Sequence, residues 1–378
     1  MPEPLKNLFN PEMIALMGHH FKRVWARFDA AGFVDQATTG LEALELKQRS
    51  DHIGRAFAAH LPGSFPDACK ILRDSLHPDD DIDLSSVTMD EGGIRGWAIM
   101  PMCQYVANHG LHDFDLALQV QKGFTKRFTA ELSIWVFILH DPGRALATLR
   151  DWAADPNYHV RRLATEGARP RLPWAMRLPA LIADPTPLLP ILELLKDDGS
   201  EYVRRSVANN LNDIAKDHPD TVAGIARTWL AGATKERKNP VRHGSRTLIK
   251  QGQKETLSAL GYERPGLSPM ELEILTPTVR FGEALRFRIS LASNAFEDQD
   301  LIIDYVVHHR KANGKTTPKV FKWMTINLKA GASHDAVRKH AMRPIPTRVY
   351  YPGAHRLEIV ANGEILGGGD FQLDMPDS

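Results

Sequence analysis

The feature that most constrains this chain is an internal repeat. Asp155-Pro-Asn-Tyr-His-Val-Arg-Arg-Leu-Ala-Thr-Glu166 is echoed 43 residues later by Asp198-Gly-Ser-Glu-Tyr-Val-Arg-Arg-Ser-Val-Ala-Asn209. A weaker third copy runs Asn239-Pro-Val-Arg-His-Gly-Ser-Arg246. Each copy begins with turn and helix-start residues and continues into apolar residues at three- to four-residue spacing. A period near 40 with two helices per unit is the signature of an α-solenoid. One such unit cannot bury its apolar face alone, so units must stack and present an extended concave surface.

The pattern changes after Glu263-Arg264-Pro265-Gly266. Leu285-Arg-Phe-Arg-Ile289 alternates strictly. Leu301 to Val307 and Val320 to Leu328 are rich in β-formers, and Asn313-Gly314 and Asn362-Gly363 are hairpin turns. Six or seven short strands in this tail imply a small sandwich of immunoglobulin-like size. The expected organisation is a HEAT-like helical domain over 1–264, a linker over 265–270 and an immunoglobulin-like β-sandwich over 271–378.

In the second helix of a repeat, Val203, Val207, Leu211 and Ile214 form the apolar stripe. Arg205, Asn209 and Asp213 recur four apart and share the next line of the surface. The repeat offset puts Arg162 and Glu166 on the equivalent line. The same spacing suggests that Arg127, Glu131 and Trp135 share one helix, and that Arg242, Arg246 and Lys250 share another. Such Arg–acid ladders are also used between repeats purely for packing, so the spacing alone leaves structure and function open. The triplet of like charges destabilises an isolated helix, which an anionic partner would explain. The loop Gly167-Ala-Arg-Pro-Arg-Leu-Pro-Trp174 is stiffened by two prolines and carries Arg169, Arg171 and an aromatic, either as a packing staple or as a rigid presented ring.

Lys and Arg together number 47 against 46 for Asp and Glu, a net charge of +1, so the chain is not a uniformly basic nucleic-acid binder. The charge is nevertheless segregated. Between His308 and Arg356 eleven Lys and Arg residues, among them Arg310, Lys311, Lys315, Lys319, Arg338 and Lys339, face a single acid, Asp335. A phosphate backbone is the commonest partner of such a surface. Two cysteines, Cys69 and Cys103, make neither a disulfide scaffold nor a thiolate zinc site. No metal-binding HExxH, phosphate-binding GxxxxGK[ST] or dinucleotide-binding GxGxxG pattern is present, so no metal or cofactor is expected. The acidic run His77-Pro-Asp-Asp-Asp-Ile-Asp83 lacks the glycine and terminal glutamate of an EF-hand and reads as a solvated loop. There is no long apolar run and no signal-peptide pattern, and a cytoplasmic protein is expected.

The runs Thr125-Lys-Arg-Phe-Thr-Ala-Glu131, Asp155 to Trp174 and Tyr202 to Pro219 resemble the AlkC branch of bacterial alkylation-repair DNA glycosylases, to which the HEAT-like AlkD branch is related. The basic β-tail is similar to the immunoglobulin-like domain that some members of that branch carry. The resemblance implies a monofunctional N-glycosylase, without metal or cofactor, acting on cationic N-alkylated bases. These are 3-methylcytosine and 3-methyladenine, with 1-methyladenine a further candidate. It also implies that the base is not flipped into a deep pocket, unlike the usual glycosylase arrangement. By position, Glu131, Glu166 and Asp213 match the family's active-site carboxylates and Trp174 its active-site aromatic. Arg162, Arg169, Arg171, Arg205, Arg242, Arg246 and Lys250 are expected to face the lesion or the DNA.

The chemistry agrees with the resemblance. A methylated, cationic base is already a good leaving group, so the enzyme need only stabilise an oxocarbenium-like sugar and position a water. The expected partner is double-stranded DNA bearing alkylated bases, gripped by a monomer whose β-domain clamps the duplex, with no obligate protein partner and no membrane. The alternatives are a non-catalytic HEAT scaffold and a DNA-damage-binding protein.

Overall fold

The computed structural model describes residues 3–80 and 88–375. The last three positions of the acidic run His77–Asp83 therefore lie outside the described residues. Asp80 at its edge takes Lys126 Nζ at 3.1 Å. No helix among the described residues is long and apolar enough to cross a membrane. The chain folds into two compact units, Met1–Asp217 and His218–Ser378.

The first unit is helical. It begins with α1 (Pro11–Val24), α2 (Ala30–Thr38), α3 (Leu46–His60), α4 (Phe65–Asp74), α5 (Ile99–His109) and α6 (Phe114–Thr125). It continues with α7 (Glu131–His140), α8 (Pro142–Trp152), α9 (Tyr158–Glu166), the short α10 (Pro179–Ala183), α11 (Leu189–Leu195) and α12 (Glu201–Ile214). The sequence repeat corresponds to the helix pairs α8–α9 and α11–α12. Its echo is a shared way of starting a helix. Asp155 Oδ1 accepts from Asn157 N, and Asp198 Oδ1 from Ser200 N, both at 2.8 Å. Asn157 and Ser200 are then the N-caps of α9 and α12, and Asn157 Oδ1 accepts from His159 N at 2.9 Å, a donor that the first turn would otherwise orphan.

The first arginine of each Arg-Arg pair serves this architecture. Arg161 donates back to the Asp155 and Pro156 carbonyls and forward to both carboxylate oxygens of Asp198, at 2.6 and 3.1 Å. The packing ladder that the sequence allowed for therefore exists, one residue away from the line that carries the site. Between α9 and α12 the core is apolar, with Val160, Leu163, Val203, Val207 and Leu211 at most 2% exposed. Two buried polar contacts fix the register: Thr165 Oγ1 with Ser206 Oγ at 2.6 Å, and Asn210 Nδ2 to Thr165 O at 3.0 Å.

The second unit opens with α13 (Pro219–Leu230), α14 (Lys235–Gly244), α15 (Arg246–Gln251) and α16 (Lys254–Ala259). Its strands are β1 (Glu271–Ile274), β2 (Thr278–Arg280), β3 (Ala284–Ala292), β4 (Gln299–Arg310), β5 (Thr316–Leu328), β6 (Ser333–Ala341), β7 (Gly353–Ala361) and β8 (Glu364–Asp374). A three-stranded sheet, β1-β3-β6, faces a five-stranded one, β2-β8-β7-β4-β5. Phe287, Ile289, Leu301, Ile303, Tyr305, Leu357 and Phe371 fill the space between them. This is the immunoglobulin-like sandwich that the alternation implied, with eight strands.

The helices of this unit dock on the sandwich through the β7–β8 turn. Gly252 and Gly363 meet backbone to backbone with φ of +69° and +81°, and a Cβ on Gly363 would stand 2.6 Å from Gly252 O. Beside them Asn362 bonds the Glu263 and Asp300 carbonyls and the Ile302 amide. Ile249, Leu257 and Tyr262 cover Ile302. The helices after Asp217 thus pack with the sandwich, whereas the sequence pattern grouped all residues before 265 together.

Candidate active site

The three carboxylates singled out in the sequence form, with Arg162 and Arg169, one continuous charge-alternating row across three helices. At one end is Glu131, the first residue of α7. Its Oε2 accepts from Thr129 Oγ1 at 2.7 Å and from Arg162 Nη1. Arg162, on α9, also donates to Thr129 Oγ1 at 2.8 Å and lies 3.6 Å from Glu166 Oε1. Glu166, the last residue of α9, takes Arg169 Nη1 at 2.7 Å on the same oxygen. Arg169 Nε turns to Asp213 Oδ2 at 2.9 Å, and Lys216 Nζ closes the row on Asp213 Oδ1 at 3.0 Å.

Burial deepens along the row. The side chain of Glu131 is 18% exposed, that of Glu166 5% and that of Asp213 2%. Buried charges survive only when paired, and here each acid has its cation. Burial would lower the Arg162 guanidinium, but Glu131 and Glu166 beside it hold it above its ordinary value. Glu166 and Asp213 do the same for Arg169 against its own burial. Tyr202, at the start of α12, sets its ring 4.9 Å from the Arg162 guanidinium. Burial pushes the Tyr202 phenol up, and Arg162 opposes that shift. His159 is buried against the rings of Tyr158 and Tyr202.

The loop after α9 crosses to the end of α12. Arg171 grips Asp217 with two bonds of 3.0 and 2.9 Å, Leu172 is buried, and Trp174 is exposed. Arg162, Arg169 and Arg171, expected to face DNA, therefore each engage a carboxylate, while Arg205 is exposed on α12.

Two expected alignments are corrected. Arg127 does not share a helix with Glu131 and Trp135. The helix ends at Thr125, Arg127 N bonds Phe124 O in the turn, and the guanidinium reaches the His77 and Pro78 carbonyls. Arg242, Arg246 and Lys250 belong to the second unit and to two helices, because α14 contains Pro240 and ends at Gly244, before Ser245. Arg242 donates to Tyr262 OH at 2.5 Å.

Arg246 and Lys250 instead line an open cleft between α15 and β5 with Lys319 and Lys322. At the far end of β4, Lys311 and Lys315 are exposed on the hairpin, and Arg310 packs against Gly353. On β6, Lys339 is exposed, but Arg338 takes the inward register and sets its guanidinium 5.9 Å from the Tyr305 ring.

Thr129, Tyr202 and Lys216 were not singled out in the sequence. Tyr202 could have been found, since the repeat aligns it with His159, but nothing local marks Thr129. Among the described residues no group of three or more His, Cys, Asp or Glu side chains could hold a metal ion.

The fold resembles that of an alkylpurine DNA glycosylase. The structure of Pseudomonas fluorescens AlkC bound to DNA containing an abasic-site analogue superposes with a TM-score of 0.84. The two are 36% identical, with 98% of this chain and 100% of that one covered. YhaZ of Bacillus subtilis (strain 168) is 34% identical over 98% of this chain and 99% of its own. Residues 269–375 match the family described as the YhaZ C-terminal Ig-like domain. The chain belongs to the family of AlkC and YhaZ.

Proposed function

We propose that the protein is a DNA glycosylase that hydrolyses the N-glycosidic bond of cationic N-alkylated bases, 3-methylcytosine and 3-methyladenine foremost. The observation that carries this reading is the row Glu131–Arg162–Glu166–Arg169–Asp213, in which three carboxylates are held rigidly at decreasing exposure. A scaffold that only gripped phosphates would gain nothing from burying acids on its DNA-facing side. As the base departs, positive charge develops on the sugar, and fixed carboxylates stabilise it without reorganisation. At ~4 Å and an effective dielectric of ~20, one carboxylate contributes roughly 4 kcal/mol, or about three decades in rate. A base that is already cationic needs no acid to protonate it.

The three carboxylates divide the work. The bonds to Glu131 fall on Oε2 and those to Glu166 on Oε1, so the other oxygen of each is the one to face sugar or water. Asp213 has both oxygens occupied and holds Arg169 in place. Trp174 offers a face to the lesion, and stacking of this kind is worth ~1–3 kcal/mol. Lys311, Lys315, Lys319 and Lys339, with the cleft of Arg246 and Lys250, hold the DNA backbone.

Single-turnover excision of 3-methylcytosine from duplex tests the assignment. Glu131→Gln and Glu166→Gln each lose a decade or more while duplex affinity is kept, and Asp213→Asn loses rate through Arg169. A neutral variant that excises at the wild-type rate removes that residue from the mechanism.

A further inference from the structure

Trp174 stands in a backbone conformation that its side chain disfavours. Leu172 to Ala175 form a turn closed by Ala175 N donating to Leu172 O at 3.3 Å, with Pro173 and Trp174 at its corner. Pro173 suits the first corner position. Trp174, at φ +68°, fills the second, where a type II turn calls for glycine or asparagine. Asn362 is the one other non-glycine residue with positive φ among the described residues. A bulky residue at positive φ persists only where its surroundings over-determine it.

Most of the bracing is local. Arg171 is tied to Asp217, Leu172 is buried, and Leu178 N bonds Pro170 O at 3.1 Å. The hydrogen bond to Trp174 itself comes from 127 residues up the chain: Lys47 Nζ, on α3, donates to the Trp174 carbonyl at 2.8 Å. The indole is left 57% exposed, and it is the one exposed ring among the seven tryptophans.

We infer that Lys47 is a positioning residue for lesion capture: by holding the Trp174 carbonyl it fixes the left-handed corner and so the direction in which the indole is presented. The inference rests on the glycosylase reading for its consequence, but the geometry it asserts can be measured without DNA. Three features agree on it. The strained residue is the exposed tryptophan. The loop that carries it also carries Arg169 of the carboxylate row. The clamp comes from a helix that contributes nothing else to that row. The hydrogen bond of Lys47 is to the backbone of Trp174 and to no residue of the carboxylate row, so its loss should loosen recognition and leave the bond-breaking step intact.

Two arms test this. In the first, Lys47→Met keeps the aliphatic stem and removes the ammonium. KM for a 3-methylcytosine duplex should rise about tenfold, the scale of one hydrogen bond to a charged group, with kcat within about twofold and the thermal midpoint little changed. Lys47→Arg, which still reaches the carbonyl, should restore KM. Lys47→Met in a Trp174→Ala background should add no further loss. An unchanged KM, a loss additive to that of Trp174→Ala, or no rescue by arginine would overturn the inference.

The second arm needs no activity. Collisional quenching by acrylamide isolates the Trp174 emission as the difference between the wild type and Trp174→Phe. Lys47→Met should alter that component, and an unaltered component would equally overturn the role of Lys47. A wild-type protein that releases no base counts against the glycosylase reading alone, and the quenching result then decides whether Lys47 orients Trp174.

Discussion

Arg169 is the residue whose loss the structure makes most costly. Its guanidinium bridges Glu166 at 2.7 Å and Asp213 at 2.9 Å, and the residue is 8% exposed. Arg169→Met keeps much of the buried bulk and removes the nearest cation from two carboxylates that are 5% and 2% exposed, leaving Glu166 only Arg162 at 3.6 Å and Asp213 only Lys216 at 3.0 Å. Removing one partner of a buried ion pair costs roughly 3–5 kcal/mol, and the absence of two charge-assisted bonds gives a similar figure. Taking about 4 kcal/mol, and ~2–4 °C per kcal/mol for a unit of this size, the melting of the Met1–Asp217 unit should fall by about 8–16 °C. Helical ellipticity against temperature reads this directly. Arg171→Met is the control on the same loop. Its pair with Asp217 is partly exposed, at 21% and 31%, so its loss should cost at most ~1 kcal/mol. Adding Asp213→Asn to Arg169→Met should recover part of the loss, because it removes a buried charge left with the partly exposed Lys216 as its cation. If Arg169→Met melts within the range of Arg171→Met, the row is not a buried, mutually dependent network and the reasoning fails.

Gly363→Ala should destabilise the second unit by about 1–3 kcal/mol, since it combines strain at φ +81° with a 2.6 Å approach to Gly252 O. Urea unfolding followed by Trp323 emission would show it, while the first unit keeps its melting point. Acid should weaken the sandwich before the helices. Burial, reinforced by the Arg348 cation, lowers His309 to about 3 and His340 to about 4. The unfolded chain takes up protons that these rings refuse, so stability is full above about 6.5 and is lost as pH falls from there toward 4 and 3. The urea midpoint of the second unit should drop between pH 7 and 5, and His309→Gln with His340→Gln should flatten the decline. Replacing Lys311 and Lys315 by Gln should weaken binding to damaged and undamaged duplex alike. It should lower the slope of log K against log salt by ~0.9 for each phosphate that is no longer neutralised, and an unchanged slope would remove the hairpin from the DNA interface.

Much of the fold was legible because it rests on local chemistry. The two Asp-then-cap starts, the Asn-Gly turns and the alternation through Leu285–Ile289 each act within a few residues, and each appears where the pattern put it. The repeat also aligned Arg162, Glu166, Arg205 and Asp213 correctly on helices, since four-residue spacing on one helix is a geometric certainty. It failed where a helix did not continue. Nothing in the spacing of Arg127 and Glu131 shows the turn between them, and the Arg242–Lys250 periodicity is interrupted by the end of α14 at Gly244. Pairings that cross the chain were out of reach. No local pattern reveals that Arg169 bonds Asp213 rather than phosphate, that Tyr202 lies beside Arg162, or that Lys47 meets Trp174. The grouping of α13–α16 with the sandwich depends on a glycine-to-glycine approach that no periodicity encodes.

The central claim is that the buried carboxylate row breaks the glycosidic bond of a cationic base. Its most direct test is to incubate the protein with duplex containing 3-methylcytosine and with duplex containing only undamaged bases, and to identify free bases by mass spectrometry. Wild type should release 3-methylcytosine, leaving an abasic site, and spare undamaged bases, while Glu166→Gln should bind the same duplex and release at least tenfold less. Folded wild-type protein, shown to be bound to the damaged duplex, that releases no base would contradict the claim.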